Sequence, residues 1–230
     1  MTRENTMKRT LIAISMAAGL SIAGQASAAL VTYTGADDGV SSLAQMTNSV
    51  AAAASFLAAV PSASVIDFEG ALPTGVSIVG GSITSNSGCG PLCGINTTSG
   101  GRNFLSLFGG SATFNFATAI NSFGAYITGL QTNLVIGQAL TFSDGSSQTI
   151  GVPSSINGGG AFLGFTDFGK SITSVTYTAQ GGNIGDIVTI DDVRFGNGGG
   201  VPEPATWAMM LLGFGGLGSM IRMRRRQLAA

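Results

Sequence analysis

The chain has 230 residues, 44% hydrophobic and only 9% charged, with 36 Gly, two Cys and no His. The lack of histidine excludes Ser-His-Asp and Cys-His catalysis, HExxH zinc sites and any histidine general base. Formal charge is −1, but between residues 29 and 200 three basic side chains (Arg102, Lys170, Arg194) stand against nine acidic ones, a net of −6. That section has little with which to neutralise a phosphate backbone, and no nucleic-acid partner is expected.

The N-terminus carries Met7-Lys8-Arg9-Thr10, an apolar run LIAISMAAGLSIAG, and then Gln25-Ala26-Ser27-Ala28. A basic start, an apolar centre and a small-x-small exit define a secretory signal peptide over residues 1–28, cut after Ala28. A short membrane anchor or a core helix is the alternative, but the apolar run is short for a span. Residues 29–195 then suit one domain of ordinary size.

Residues 40–60 are expected to form the one soluble amphipathic helix. Leu43, Met46, Val50, Ala54 and Leu57 recur at three- and four-residue spacing, Pro61 lies just beyond, and Asp37 or Asp38 is placed to cap it. From Ser64 the pattern shifts to short period-two runs separated by Gly, Asn and Ser. Strands are expected near 64–68, 75–79, 103–108, 111–117, 122–128, 138–143, 147–152, 161–166, 171–178 and 186–195. The clearest alternation puts Ala112, Phe114 and Phe116 inward and Thr113 and Asn115 outward. The clearest hairpin turns at Asp144-Gly145. These features predict a mainly β chain folded as an antiparallel β-sandwich, jelly-roll-like, with barrel closure as the alternative.

Few residues offer chemistry. Cys89 and Cys93 are the only cysteines, and in an exported section they are expected to form a local disulfide. A redox role would prefer Cys-x-x-Cys at a helix start, and a zinc site lacks its other ligands. If Val188 and Ile190 face the core, strict alternation sends Val193 and Phe195 outward. A bulge at Asp191-Asp192 would restore both to the core and turn a carboxylate aside. Glycosidase chemistry needs two carboxylates across a cleft, and no catalytic motif frames a pair, so the chain is expected to be non-enzymatic. Phe104, Phe108, Phe114, Phe116, Phe162 and Phe165 are assigned to the core. Tyr33, Tyr126 and Tyr177 remain as aromatics for a sugar platform, and half-buried packing is the commoner use of a strand tyrosine.

After a Gly-rich linker at 196–201 come Val201-Pro202-Glu203-Pro204-Ala205-Thr206-Trp207, an apolar Gly-rich run and Arg222-Met223-Arg224-Arg225-Arg226. No residue from Ala205 to Ile221 is charged, 17 positions at the short end of what spans a bilayer. Trp207 sits where an interfacial aromatic belongs, and the arginines hold the C-terminus in the cytoplasm. Two prolines keep 202–204 extended, the conformation a protease grips. Pro202, Glu203, Pro204, Trp207, a transmembrane helix near 205–221, and Arg222, Arg224, Arg225 and Arg226 together resemble the PEP-CTERM sorting signal of Gram-negative bacteria, over residues 202–226. The resemblance implies processing by exosortase, a membrane-embedded cysteine protease. It also implies an inner-membrane-anchored precursor and delivery to the cell surface or exopolysaccharide matrix. A permanent single-span anchor is the alternative.

The folded region resembles galactose-binding-like jelly rolls. The residues that carry this are Ile66-Asp67-Phe68-Glu69-Gly70, Phe162-Leu163-Gly164-Phe165, Ile172-Thr173-Ser174-Val175 and Val188-Thr189-Ile190-Asp191-Asp192-Val193-Arg194-Phe195. The resemblance implies that the first and last strands lie side by side. It also implies a structural calcium ion held by Glu69, Asp191 and Asp192, with Asp67 a further candidate, against the alternative of exposed turn and edge acids. The expected function is that of an exported, non-enzymatic surface or matrix protein associated with exopolysaccharide. A carbohydrate-binding module with structural calcium and a glycan-acting hydrolase are the alternatives.

Overall fold

Period-two patterning over small, β-branched and aromatic residues leaves one face of each strand apolar, and two such sheets must bury those faces against each other. The computed structural model describes residues 30–86, 88–131, 134–143, 145–167, 169–181, 187–198 and 210–216. Residues Ala29–Gly200 form one unit. It contains β1 (Val31–Asp37), a 3-10 turn (Leu43–Gln45), α1 (Thr47–Ala59), β2 (Ser64–Ile66), β3 (Val76–Val79), β4 (Ser82–Thr84) and a second 3-10 turn (Gly90–Cys93). Eight further strands follow: β5 (Phe104–Phe108), β6 (Gly110–Ile120), β7 (Ser122–Leu130), β8 (Leu134–Phe142), β9 (Ser147–Gly151), β10 (Gly159–Thr166), β11 (Ile172–Gly181) and β12 (Ile187–Gly196).

One sheet runs β1-β10-β7-β12-β5-β4 with β2 also on β12, and the other runs β3-β6-β11-β8-β9. The strand pairs are antiparallel. The chain crosses from sheet to sheet at β2–β3, β3–β4, β5–β6, β6–β7, β7–β8, β9–β10, β10–β11 and β11–β12, which gives a jelly-roll-like sandwich. Ala112, Phe114 and Phe116 point inward as their alternation requires, while the Thr113 and Thr176 hydroxyls meet on the outer face at 2.9 Å. The aromatic centre is Phe123, whose ring lies 5.6 Å from Phe114 and 6.1 Å from Phe165 between centroids. The predicted β8–β9 hairpin is present, with Thr141 opposite Ser147, although Asp144 lies outside the described residues.

The outer face of the first sheet carries a second, smaller core. Met46, Ala52, Ala53, Phe56 and Val60 of the α1 region pack on Tyr126 and Phe162. Glycines make this close approach possible. A Cβ at Gly35 would fall inside the van der Waals shell of the Asn48 backbone, and one at Gly164 would lie 2.9 Å from the Phe56 ring. An Ala-rich helix on a Gly-lined recess brings main chains together, and Phe56 fills the hollow.

Asp37 ties the helix start to the sheet. Its carboxylate accepts the Asn48 N–H at 3.0 Å, the Ser49 N–H at 2.9 Å and the Ser49 hydroxyl at 2.7 Å. Burial raises its pKa, but the Ser49 and Asn48 hydrogen bonds outweigh that and hold it below the ordinary 3.8. Its contribution is therefore present above pH 3.8 and lost as the pH falls further. Asp37→Ala is expected to cost about 1–2 kcal/mol, read as a lower denaturation midpoint with an unchanged slope.

Four sequence expectations are corrected here. The helix begins at Thr47 rather than 40, and it buries Ser49, Ala52, Ala53 and Phe56 while Val50 is 40% exposed. With apolar residues on every side, α1 has no strong stripe, and the fit of Phe56 into the recess decides the buried face. Strands β1 and β4 were not expected: β1 lies at the start of the described residues, ahead of the first strand pattern read in the sequence, and β4 is only three residues long. β2 does lie beside β12, but β1, not β2, is first in the chain and it pairs with β10. Phe108, assigned to the core, is 66% exposed at the end of β5.

Of residues 201–230, only the exposed helical segment 210–216 is described. No helix among the described residues is long and apolar enough to cross a membrane. The expected signal peptide, the end of the expected linker, Pro202, Glu203, Pro204, Trp207, Arg222, Arg224, Arg225 and Arg226, and most of the expected 205–221 span lie outside the described residues.

Candidate functional site

The site is built around a change of neighbours along β12. Its first half, Ile187–Ile190, pairs with β5, and Val193–Phe195 pairs with β2. The β12–β7 register shifts between Asp191 and Arg194. Asp192 takes φ +45°, and Val188, Ile190, Val193 and Phe195 are all buried. This is the bulge that the side-chain pattern demanded. At the gap between β5 and β2 no neighbouring strand supplies ladder partners, and the loop 94–103 fills the place.

Asp191, 1% exposed, holds that loop. Its Oδ2 accepts the Thr97 N–H at 2.7 Å, the Thr97 hydroxyl at 3.1 Å and the Thr98 N–H at 3.3 Å, and its Oδ1 accepts the Asp192 N–H at 2.8 Å. Burial pushes its pKa up to about 6; hydrogen bonds from Thr97 and Asp192 N–H oppose that, and the Asp192 charge adds to it. Asp192 Oδ1 accepts the Thr98 hydroxyl at 2.9 Å. Arg194 lies 3.9 Å from Asp192 Oδ2 and 5.6 Å from the Tyr126 ring centroid.

Glu69, just after β2, fastens the other end of the loop. Its Oε1 accepts the Arg102 and Asn103 N–H groups at 2.5 and 2.6 Å, and Oε2 accepts the Asn103 amide at 3.1 Å. Asn96 braces across by donating to the Asn103 carbonyl at 2.8 Å. Upstream, Cys89 and Cys93 are joined in a disulfide with Cα atoms 5.5 Å apart. The bond pins the 3-10 turn that precedes the loop.

The three acids thus reach one loop, but as separate acceptors for N–H and O–H donors. Asp67 accepts the Glu69 N–H at 3.1 Å. Calcium takes six to eight oxygens whose lone pairs face the ion. Here the carboxylate oxygens face donors, and no group of three or more His, Cys, Asp or Glu that could hold a metal occurs among the described residues. The donor set does not fit calcium.

Above the tied loop opens a cleft of about 600 Å³, lined by Ser41, Ser42, Ser85, Asn86, Asn96, Thr97, Thr98, Ser99 and Arg102 over a base that includes Ile95 and Phe104. Among the described residues lining it there is no Asp or Glu. Its chemistry is that of hydroxyls, amides and one guanidinium, suited to hydrogen-bonding a polar ligand and lacking a carboxylate pair. Sequence reading found the acids but missed the loop they hold. The signal was present in the donor-rich stretch Asn96-Thr97-Thr98 and Arg102-Asn103, which is long, polar and without strand alternation.

Residues 200–226 match the family model of the PEP-CTERM protein-sorting motif. The chain therefore carries a sorting signal that implies processing by exosortase and marks an exported protein of the cell surface. No curated protein sequence matches the chain. Among solved structures it is similar to the family 11 carbohydrate-binding module of a cellulosomal cellulase of Clostridium thermocellum, at 12% identity over 60% of this chain and 95% of that one, TM-score 0.35. A xylan-binding family 22 module from Paenibacillus barcinonensis gives 10% identity over 59% and 95%, TM-score 0.35. The catalytic domain of a family 87 α-1,3-glucanase gives 13% over 62% and 30%, TM-score 0.36. Similarity this distant does not extend to a ligand.

Proposed function

We propose that the chain is a non-catalytic protein of the exopolysaccharide matrix, delivered by its sorting signal and contacting polysaccharide through the cleft above loop 94–103. The observation that carries this reading is the cleft itself, a hydroxyl- and amide-lined hollow of about 600 Å³ on a loop already tied by Asp191 and Glu69. Sugar hydroxyls both donate and accept, as do the Ser, Thr and Asn groups there. A loop held before the ligand arrives loses little further entropy on binding. In this account the 205–221 segment anchors a precursor in the inner membrane of a Gram-negative cell, and exosortase cuts near Pro202-Glu203-Pro204.

Co-sedimentation of the full chain, purified in detergent, with exopolysaccharide from the producing bacterium tests the binding half. Retention is expected, and passage of all the protein into the supernatant would contradict it. The sorting half makes its own prediction. Alanines at Pro202, Glu203 and Pro204 are expected to leave full-length protein in the membrane fraction, at least tenfold enriched over the unaltered chain, since a step that needs the motif is lost. Immunoblots of fractionated cells read the result.

A further inference from the structure

We infer that the cleft takes an acidic sugar, its carboxylate seated on Arg102; this rests on the glycan-binding reading above. Arg102 is one of three basic residues between 29 and 200, and it alone lines the cleft. Arg194 is turned to Asp192 and Tyr126. The Arg102 guanidinium, by contrast, makes no ion pair among the described residues, while its own N–H is fixed by Glu69. The root of the side chain is therefore held and its planar fork is left available to a ligand.

The surroundings suit one sugar carboxylate. Ser42, Ser85 and Ser99 line the same cleft, and their hydroxyls make no hydrogen bond among the described residues. A guanidinium presents parallel donors that match a carboxylate at two points, which a neutral hydroxymethyl group does not. The net −6 of the section opposes a polyanion at long range, screened over about 8 Å at physiological salt. Recognition thus falls to the short-range two-point contact, and an acidic unit gains where a neutral one does not.

The test uses the full chain in detergent and exopolysaccharide extracted from the producing bacterium, untreated and after chemical reduction of its carboxyl groups to alcohols. The expected result is binding to untreated polysaccharide, weakened about 10- to 100-fold by reduction. Arg102→Gln should show the same loss on untreated material, with little further change on the reduced form. Arg102→Lys, which keeps the charge and loses the fork, should fall between. Equal binding of untreated and reduced polysaccharide would overturn the acidic-sugar inference and leave glycan binding standing. Binding to neither would overturn both.

Discussion

Asp191→Ala is expected to destabilise the domain by about 3 kcal/mol and to expose the Thr97 and Thr98 amides to hydrogen exchange. The side chain accepts three N–H groups and two hydroxyls, that of Thr98 at 3.5 Å, inside a gap in the sheet. Truncation leaves buried donors without acceptors, at about 1–3 kcal/mol for each that water does not reach. The loss should centre on loop 94–103, and the proposed polysaccharide retention should fall with it. Asp191→Asn separates charge from geometry, because an amide oxygen still accepts from Thr97 and Thr98. The folded pKa of about 6 exceeds the ordinary 3.8, so between those values the native state holds a proton that the unfolded chain has released. Stability from this group is thus fully present below pH 3.8 and falls as the pH rises through 6, by about 3 kcal/mol at most. In Asp191→Asn that part of the pH dependence should vanish. Denaturation midpoints at several pH values between 4 and 8 check it, and an unchanged slope in the variant would contradict the assignment.

Gly129→Ala should cost about 3 kcal/mol although it adds a single methyl group. Gly129 sits at φ +82°, where a side chain costs about 1–2 kcal/mol. Its Cβ would lie 2.6 Å from the Cys93 carbonyl carbon and 2.8 Å from the Ile187 oxygen, and backbone on both sides leaves nowhere to yield. The variant should lift the disulfide-pinned turn off the sheet and widen the cleft. Hydrogen exchange at Ile95, whose N–H donates to the Thr128 hydroxyl at 2.8 Å, should rise with it. An ordinary melting curve for Gly129→Ala would show that the turn has room to move.

What the sequence disclosed follows from how local each signal is. Strong alternation at Ala112-Phe116 is local and appears in the fold. The hairpin signal near Gly145 is local too, and β8 pairs with β9, but Thr141 opposite Ser147 leaves an odd number of residues between paired positions, which a two-residue turn does not. The bulge at Asp191-Asp192 was legible because Val188, Ile190, Val193 and Phe195 cannot all face inward on a regular strand. The partners of its carboxylates were not legible, since Thr97 and Thr98 lie more than 90 residues away. No spacing within either segment announces the meeting. The same limit hid the buried face of α1, which is chosen by Gly35 and Gly164 on strands that the helix does not adjoin in sequence. Asp37 was placed as a cap, and it does hold the first turn, but across a ten-residue loop rather than from the adjoining position.

The sorting signal is the reverse case, because Pro202-Glu203-Pro204, an uncharged run and terminal arginines are read along the chain without any fold. The account as a whole depends on that signal delivering the sandwich to the matrix. Intact mass of the protein recovered from its native bacterium, after separating membrane, periplasm, surface and medium, tests this most directly. The account predicts a surface or matrix form that begins at Ala29 and ends near Pro204. A mass that still includes Trp207 through Ala230, found only in membranes, would contradict it.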